Sequence, residues 1–326
     1  MQIKKYRGLM FLLLLIIIPL VLSNNYLFSI LIIIFLYAIL VQGLGILMGY
    51  AGQVSFGHAA FFGLGAYSVA ILTTRFHWPT LAALLAAAIL PGLVAALIGR
   101  QTLKLRELYL ALATLGFGLL VHLVFTEGGE LTGGPSGISG IPYLRLCGFA
   151  FDSDQKFFVL VWIILGIVLL GVNNLVQSRV GRALNAIRES EFAAENAGID
   201  CAKLKLQAFI FSALLAGLAG GLYAFYVTFI SPSPFTFHTS VQFVLMAVVG
   251  GLGTYWGPLL GAAVVVALGE ILREVIPLLI TGAGGEYQII FYGLILTGLM
   301  IFQPEGLSKL WKVVQKRRMQ HASGDK

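Results

Sequence analysis

Three hydrogen-bonding side chains are enclosed in a glycine-rich, uncharged stretch between two apolar segments. In GYAGQVSFGHAAFFGLGAY, residues 49–67, Gln53, Ser55 and His58 could bond a polar solute, and Gly52 and Gly57 let the backbone bend. Lipid cannot satisfy such groups, so protein or water must surround them. These five residues are our candidates to line a path across a membrane, where helix N-terminal amides could face a carboxylate. The alternative is that the polar side chains only bond neighbouring helices.

Motifs that perform catalysis are missing from the sequence. The chain contains no Gly-x-Ser-x-Gly, no His-Glu-x-x-His and no Gly-Lys dipeptide from which to build a phosphate-binding loop. We therefore expect no catalytic residue, no metal site and no cofactor bound by this chain. A membrane-embedded enzyme acting on lipid is an alternative, with His58 or His122 as the base. The two histidines are predicted near opposite faces of the membrane, whereas catalytic groups must converge.

Three charged residues stand inside a late apolar segment. Glu270, Arg273 and Glu274 follow the i, i+3, i+4 spacing of one helix face. Isolated charges in a membrane are costly, so this spacing predicts an intramembrane ion pair that serves as a structural clamp or an outer gate.

Residues 178–205, SRVGRALNAIRESEFAAENAGIDCAKLK, are strongly charged and long enough for two short helices. A helix from Phe192 to Ala197 is predicted to end at Gly198 in the left-handed conformation, with Ile199 packing back onto it. We interpret the segment as a cytoplasmic docking surface that transmits a partner's movement. The alternative is a solvated loop whose charge only orients the protein. The candidate coupling residues are Arg188, Glu189, Glu191, Ala193, Ala194 and Gly198.

The elements that must position these groups follow from composition. Of 326 residues, 59% are hydrophobic and 11% are charged, against roughly 25% charged in soluble domains. Recurrent apolar runs predict an all-α, polytopic transmembrane bundle forming a single domain over 1–326, rather than a barrel of alternating segments. The net charge of +7 lies in short loops, so it indicates orientation in membrane lipid and no nucleic acid partner.

About ten transmembrane helices are predicted from the apolar runs. The first run lacks a small-x-small cleavage site, so we interpret it as a helix and not as a signal peptide. The predicted spans are Leu9 to Leu22, Leu27 to Met48, Phe56 to Thr74, Thr80 to Gly99, Leu108 to Phe125, Phe157 to Val176, Leu206 to Ile230, Val241 to Gly250, Leu259 to Ile280 and Gln288 to Phe302.

The lysines and arginines predict the orientation. On this topology 17 of them lie on the side of both termini and 3 on the opposite side, so both termini are predicted to be cytoplasmic. The basic tail 303–326 shares that side, and the turn-rich loop 126–156 is external, where it suits contact with an external partner. Cys147 and Cys201 fall on opposite sides, which excludes a disulfide between them.

Two glycine pairs follow apolar runs that enter the cytoplasmic side. Gly49-x-x-Gly52 is echoed by Gly250-x-x-Gly253, and each pair precedes an aromatic-containing run with another glycine. Interrupted segments in corresponding places indicate a pathway in transporters. The sequence therefore predicts that these two stretches are related.

Several runs resemble a known family. Ala193-Ala194-Glu195-Asn196-Ala197-Gly198 resembles the Ala-Ala-x-x-x-Gly core of the cytoplasmic loop of bacterial ABC importer permeases, although Phe192 replaces the usual Glu before the alanines. GYAGQVSFGHAAFFGLGAY, LTGGPSGISGIP, RVGRALNAIRESE and GGLGTYWGPLLGA, in this order along the chain, resemble the LivM-type permease of high-affinity branched-chain amino acid transporters. The resemblance extends from about Leu36 to Leu307.

The resemblance implies a function and a set of partners. It implies an inner-membrane ABC importer permease that moves leucine, isoleucine or valine by alternating access and does not itself hydrolyse ATP. It also implies a LivH-type permease, two cytoplasmic ATPases that meet the 178–205 loop, and a periplasmic amino-acid-binding protein. Related permeases for urea and short amides share the glycine-rich runs, so those substrates stay as alternatives. A passive channel is a further alternative.

Overall fold

The computed structural model describes residues 25–102, 107–146, 148–279, 285–302 and 306–308 of the chain. These residues are mostly helical. The helices are α1 Asn25–Gly49, α2 His58–Thr74, α3 Thr80–Thr102, α4 Glu107–Glu127, α5 Gly129–Thr132, α6 Asp154–Gln177, α7 Arg179–Glu189, α8 Glu191–Asn196, α9 Cys201–Val227, α10 Phe237–Gly250, α11 Gly257–Leu279 and α12 Gly285–Phe302.

Short strands connect the helices at one end of the bundle, which we call the strand end. A 3-10 turn, Gly134–Ser136, leads to β1 Ile138–Ser139, and a hairpin is formed by β2 Arg145–Leu146 and β3 Phe149–Ala150. Strand β4, Phe229–Ile230, pairs antiparallel with β1, with Ile138 opposite Ile230. The predicted all-α class therefore holds apart from these two-residue strands, which fold the 126–156 connection onto the helices.

The helical prediction is confirmed for the nine apolar runs between residues 27 and 302, since each overlaps a helix. The count of about ten spans is not confirmed. Within the described residues, α1, α3, α4, α6 and α9 are long and apolar enough to cross a membrane, and α2 and α10 are shorter apolar helices. The predicted span Leu9 to Leu22, Cys147 and most of the tail lie outside the described residues.

The predicted span Leu206 to Ile230 is wrong at both ends. Helix α9 begins at Cys201, because the Asp200 side chain accepts a hydrogen bond from the backbone N–H of Lys203 at 3.0 Å and caps the helix. It ends at Val227, because Thr228 adopts a left-handed φ of 58°. Residues 229–230 then extend to pair with β1.

Helix α1 forms the centre of the bundle. Its residues from Ile34 to Gly49 are almost all buried, and it packs against α9, α11, α6 and α10. Helix α9 also packs against α2 and α3. Small residues allow these close approaches, as expected where lipid gives no hydrophobic drive for helix association.

Proline shapes the contact between α3 and α9. Pro91 is buried inside α3 and cannot donate to the carbonyl of Ala87, four residues earlier. A side chain at Gly217 of α9 would overlap that carbonyl and meet the Pro91 Cγ at 2.5 Å. The glycine backbone therefore covers a carbonyl group that the helix itself leaves without a donor.

Candidate functional site

The polar stretch identified in the sequence forms a non-helical segment, residues 50–57, between α1 and α2. The chain turns at the end of α1, where Tyr50 and Ala51 donate to the Ile46 carbonyl at 3.1 Å and Gly52 has a φ of +68°. Only glycine adopts this conformation without strain. The following residues run without regular structure until α2 begins at His58.

Helix α2 begins deep inside the bundle. His58 contacts Ser212, which lies 11 residues, or about 17 Å, from the start of α9. Ala59 contacts Ser240, which lies ten residues, or about 15 Å, from the end of α10. Both helix ends lie near α7, so two independent measures place the start of α2 about 15–17 Å from that end of the bundle.

The His58 side chain is the centre of a buried hydrogen-bond cluster. His58 is 0% exposed, its Nδ1 lies 3.1 Å from Ser55 Oγ, and its Nε2 lies 2.5 Å from Ser212 Oγ. A neutral imidazole donates from one nitrogen and accepts at the other, so the two serine hydroxyls can satisfy both. Both nitrogens are thus bonded to serine hydroxyls of the protein.

The backbone around His58 is also satisfied by side chains of other helices. The N–H of Phe56 donates to Thr114 Oγ1 of α4 at 3.1 Å, and the N–H of Ala59 donates to Ser240 Oγ of α10 at 3.0 Å. The amides of the next two residues donate to the Gly57 carbonyl. These amides were predicted as carboxylate donors, and in this structure they are bonded within the protein.

Gln53 differs from its neighbours in the segment. The residue is 4% exposed, and its Oε1 has no hydrogen-bond partner among the described residues. A buried acceptor without a donor is uncommon and costs free energy. Of the three polar candidates, Gln53 therefore keeps hydrogen-bonding capacity for a molecule outside the chain.

Sequence reasoning missed the partners of the cluster, Thr114, Ser212 and Ser240. Each is a hydroxyl-bearing residue inside an apolar run, which is a usable signal because such residues in membranes bond across helices. Their pairing with Phe56, His58 and Ala59 spans 58 to 181 residues and could not be read from spacing.

The two glycine pairs predicted to be related lie in contact. A Cβ at Gly49 would overlap the backbone N of Gly253 and lie 3.0 Å from its Cα. Tyr50 donates its hydroxyl to the Gly253 carbonyl at 3.0 Å, and the Gln42 side chain donates to the Tyr255 carbonyl at 3.1 Å. The turn after α1 and the turn between α10 and α11 therefore form one junction.

The charged segment 178–205 folds as predicted into two short helices at this junction. Ser178 caps α7 by accepting from two backbone N–H groups of the first turn, and Ser190 caps α8 by accepting from one. Gly198 has a φ of +80°, and the N–H of Ile199 donates to the Ala194 carbonyl at 3.0 Å. The prediction that Gly198 ends α8 is confirmed.

The candidate coupling residues differ in their contacts and in their exposure. Arg188 donates from a guanidinium nitrogen to the Gly49 carbonyl at 2.6 Å, so it joins α7 to the end of α1. Glu191 pairs with Lys205 of α9 at 2.6 Å, and Ala194 is buried under α8. Glu189, Ala193 and Gly198 are exposed, as is Phe192 at 77%.

One group of side chains has the spacing of a metal site. The ligand atoms of Glu191, Glu195 and Cys201 lie within 4.8 Å of one another. Glu191 forms an ion pair with Lys205, and the Cys201 thiol donates to the backbone carbonyl of Glu191 at 3.8 Å. Internal contacts therefore account for this arrangement.

The predicted ion pair of Arg273 with Glu270 and Glu274 is not formed among the described residues. The two carboxylates instead accept from the Tyr26 hydroxyl, at 3.0 Å from Glu270 and 3.4 Å from Glu274. Arg273 is exposed on the same helix. The i, i+3, i+4 spacing brings the three side chains to one face, but the tyrosine of α1 is the group that faces the carboxylates.

Among the described residues, five long apolar helices and a buried non-helical polar segment are typical of an integral membrane protein of the transporter class. Residues 26–302 match the family described as the branched-chain amino acid transport system permease component, and the chain belongs to this family.

Individual relatives carry the same description. The chain is 32% identical to the high-affinity branched-chain amino acid transport system permease protein LivM of Salmonella typhimurium and to that of Escherichia coli, over 89% of this chain and 72% of each relative. It is also 29% identical to a probable LivH permease of Methanocaldococcus jannaschii, over 52% of this chain and 53% of that protein. No solved structure matches the chain.

Proposed function

We propose that this chain is the membrane-spanning permease subunit of an ATP-driven ABC importer that carries leucine, isoleucine or valine from the periplasm to the cytoplasm. Family membership supports the substrate class. The observation that carries the mechanism is the direct contact of the 178–205 segment with the turn that begins the sheltered polar segment, through Arg188 and Gly49. Movement of a cytoplasmic partner would reach the interior by this route during alternating access.

The proposed partners are a LivH-type permease, two cytoplasmic ATPases and a periplasmic amino-acid-binding protein. The ATPases would dock on α7 and α8, where Phe192 and Glu189 are exposed. The binding protein would dock on the strand end, formed by the 126–156 connection. This assignment places the chain in the bacterial inner membrane with both termini in the cytoplasm, in agreement with the distribution of basic residues.

The proposed substrate path runs beside residues 50–57. Gln53 supports it most directly, because its acceptor is buried without a partner, while Ser55 and His58 shape the path by fixing the start of α2. Gly52 and Gly57 permit the bend and the close approach to α4. Urea and short amides are the competing substrates.

Reconstitution of the complete transporter in proteoliposomes tests this proposal. Leucine-loaded binding protein should stimulate both ATP hydrolysis and uptake of labelled leucine, and a non-hydrolysable ATP analogue should abolish the uptake. Binding proteins loaded with urea or acetamide are the matched comparison. Uptake that persists without ATP would identify a channel, and stimulation by the amide alone would overturn the substrate assignment.

A further inference from the structure

The Arg188 guanidinium lies at the point where three elements of the fold meet. It donates to the Gly49 carbonyl at 2.6 Å, at the last residue of α1. A Cβ at Gly253, in the turn after α10, would lie 3.1 Å from the same guanidinium nitrogen. The Arg188 Cγ lies 3.5 Å from the Cβ position of Gly52. A single side chain of α7 therefore contacts both glycine turns.

The charge of Arg188 suits this place. The last carbonyls of a helix have no intrahelical donor and carry the negative end of the helix dipole. A cation that donates to the carbonyl of Gly49 satisfies one of them and interacts favourably with the end of α1. Hydrogen bonds from a charged donor are stronger than those between neutral groups.

Helix α7, which carries Arg188, is packed against the rest of the fold. A side chain at Gly181 would overlap the Val176 carbonyl and lie 2.6 Å from its carbonyl carbon, so α7 packs directly on the end of α6. Leu184 and Ile187 are buried on the same side of α7. The backbone of α7 is therefore fixed on α6, and the bond to Gly49 ties the Arg188 side chain to the end of α1.

The contact at Gly49 extends to the second turn. The Tyr50 hydroxyl donates to the Gly253 carbonyl, and the backbones of Gly49 and Gly253 are too close to admit a side chain. Displacing α7 must consequently carry both turns along or break the bond to Gly49. These turns lead into α2 through residues 50–57 and into α11.

We propose that Arg188 is a positioning residue that transmits the position of α7 to the ends of α1 and α10, and so links ATP hydrolysis by the partners to opening of the path. This inference rests on the proposed function for its role in transport, but the mechanical link itself does not. Arg188 acts by holding the turns and does not touch the transported molecule.

The link is first tested in the purified full-length chain, without transport. Leu252 lies half-buried in the second turn, so Leu252→Cys, in a chain whose two native cysteines are replaced by alanine, reports its opening to a methanethiosulfonate reagent. Arg188→Ala should speed labelling about three- to tenfold, the factor expected for loss of one partly exposed hydrogen bond to a charged group. Arg188→Lys should restore a slower rate. Arg100→Ala, an exposed cation of α3, is the matched control.

The coupling role is then tested in the reconstituted transporter. Arg188→Ala should lower the amount of leucine taken up per ATP hydrolysed by about tenfold while ATP hydrolysis continues, and Arg188→Lys should recover part of it. An unchanged ratio of leucine uptake to ATP hydrolysis would overturn the coupling role, whether or not both rates fall. Equal labelling of Arg188→Ala and Arg100→Ala would overturn the link. If the wild-type transporter showed no ATP-dependent uptake, the proposed function would fail while the labelling result still decided the link.

Discussion

A close helix contact near the His58 cluster gives a prediction whose size follows from the structure. Gly65 of α2 faces the backbone of Gly217 in α9, and a Cβ at Gly65 would overlap the Gly217 carbonyl oxygen and lie 2.7 Å from its Cα. An ordinary Cβ contact begins at 3.4 Å, and the overlap with the carbonyl oxygen is the tightest contact, so Gly65→Ala requires the helices to separate locally by about 1 Å or more. Overpacking of this kind costs about 1–3 kcal/mol.

A control variant removes the effect of helix propensity. Gly171 of α6 is exposed, and a Cβ there meets no atom within 4 Å. Replacing a helical glycine by alanine should stabilise the helix by about 0.5–1 kcal/mol at either position. The difference between Gly65→Ala and Gly171→Ala therefore isolates the packing cost of about 1–3 kcal/mol.

Thermal unfolding in detergent measures this difference. Gly65→Ala should unfold several degrees below Gly171→Ala, given about 2–4 °C per kcal/mol for chains of 150–250 residues and somewhat less for a longer one. If α2 moves straight away from α9 by about 1 Å or more, the 2.5 Å contact of His58 with Ser212 lengthens beyond about 3.2 Å, the usual limit for a hydrogen bond. Ser212→Ala should then cost less stability in the Gly65→Ala background than in the wild type. Equal midpoints of the two glycine variants would refute the close contact of α2 and α9.

Three further predictions concern individual contacts. Ser212→Ala in the wild-type chain should lower the unfolding free energy by about 1–3 kcal/mol, because a buried His58 nitrogen loses its partner; thermal unfolding checks it. Lys205→Glu should expose α8 to limited proteolysis, and adding Glu191→Lys should restore protection, while global stability changes by less than about 1 kcal/mol because the pair is partly exposed. The neighbouring Lys156 holds the pKa of Asp152 below its usual value of 3.8. The pair therefore stabilises the fold above that pH and loses its effect as the pH falls further. The small difference in unfolding temperature between wild type and Asp152→Asn should vanish at acid pH.

The sequence predicts the helices well because helix formation here depends on neighbouring residues in the sequence. Continuous apolar runs require helical backbone in a membrane, and each run from Leu27 to Phe302 contains a helix. The end of α8 at Gly198 is also local, because it depends on the left-handed conformation of one residue. Helix ends that depend on distant partners were predicted less well, as the pairing of Phe229–Ile230 with β1 shows.

The candidate site was only partly predictable, because the direction of a side chain and the group that it contacts depend on tertiary structure. Arg188 belongs to a charged surface segment by sequence, yet its guanidinium bonds a helix end 139 residues away. Likewise, the spacing of Glu270, Arg273 and Glu274 predicts a shared face but cannot reveal that Tyr26 competes for the carboxylates. Local charge patterns therefore identified the residues and not their contacts.

The segment between Gly49 and His58 is held at both of its ends, and between them the Gln53 side-chain oxygen is a buried acceptor without a partner among the described residues. Arg188 fixes the first end, and Ser212 with Ser240 fixes the second. A buried acceptor such as the Gln53 side-chain oxygen typically lowers the free energy of unfolding by about 1–3 kcal/mol when it has no donor. A segment selected only for packing would gain stability from an apolar residue at this position, so stability alone does not account for the glutamine. Because the anchored ends hold it at a fixed place beside the start of α2, the Gln53 amide is the group of this segment best suited to meet a polar molecule that enters the bundle.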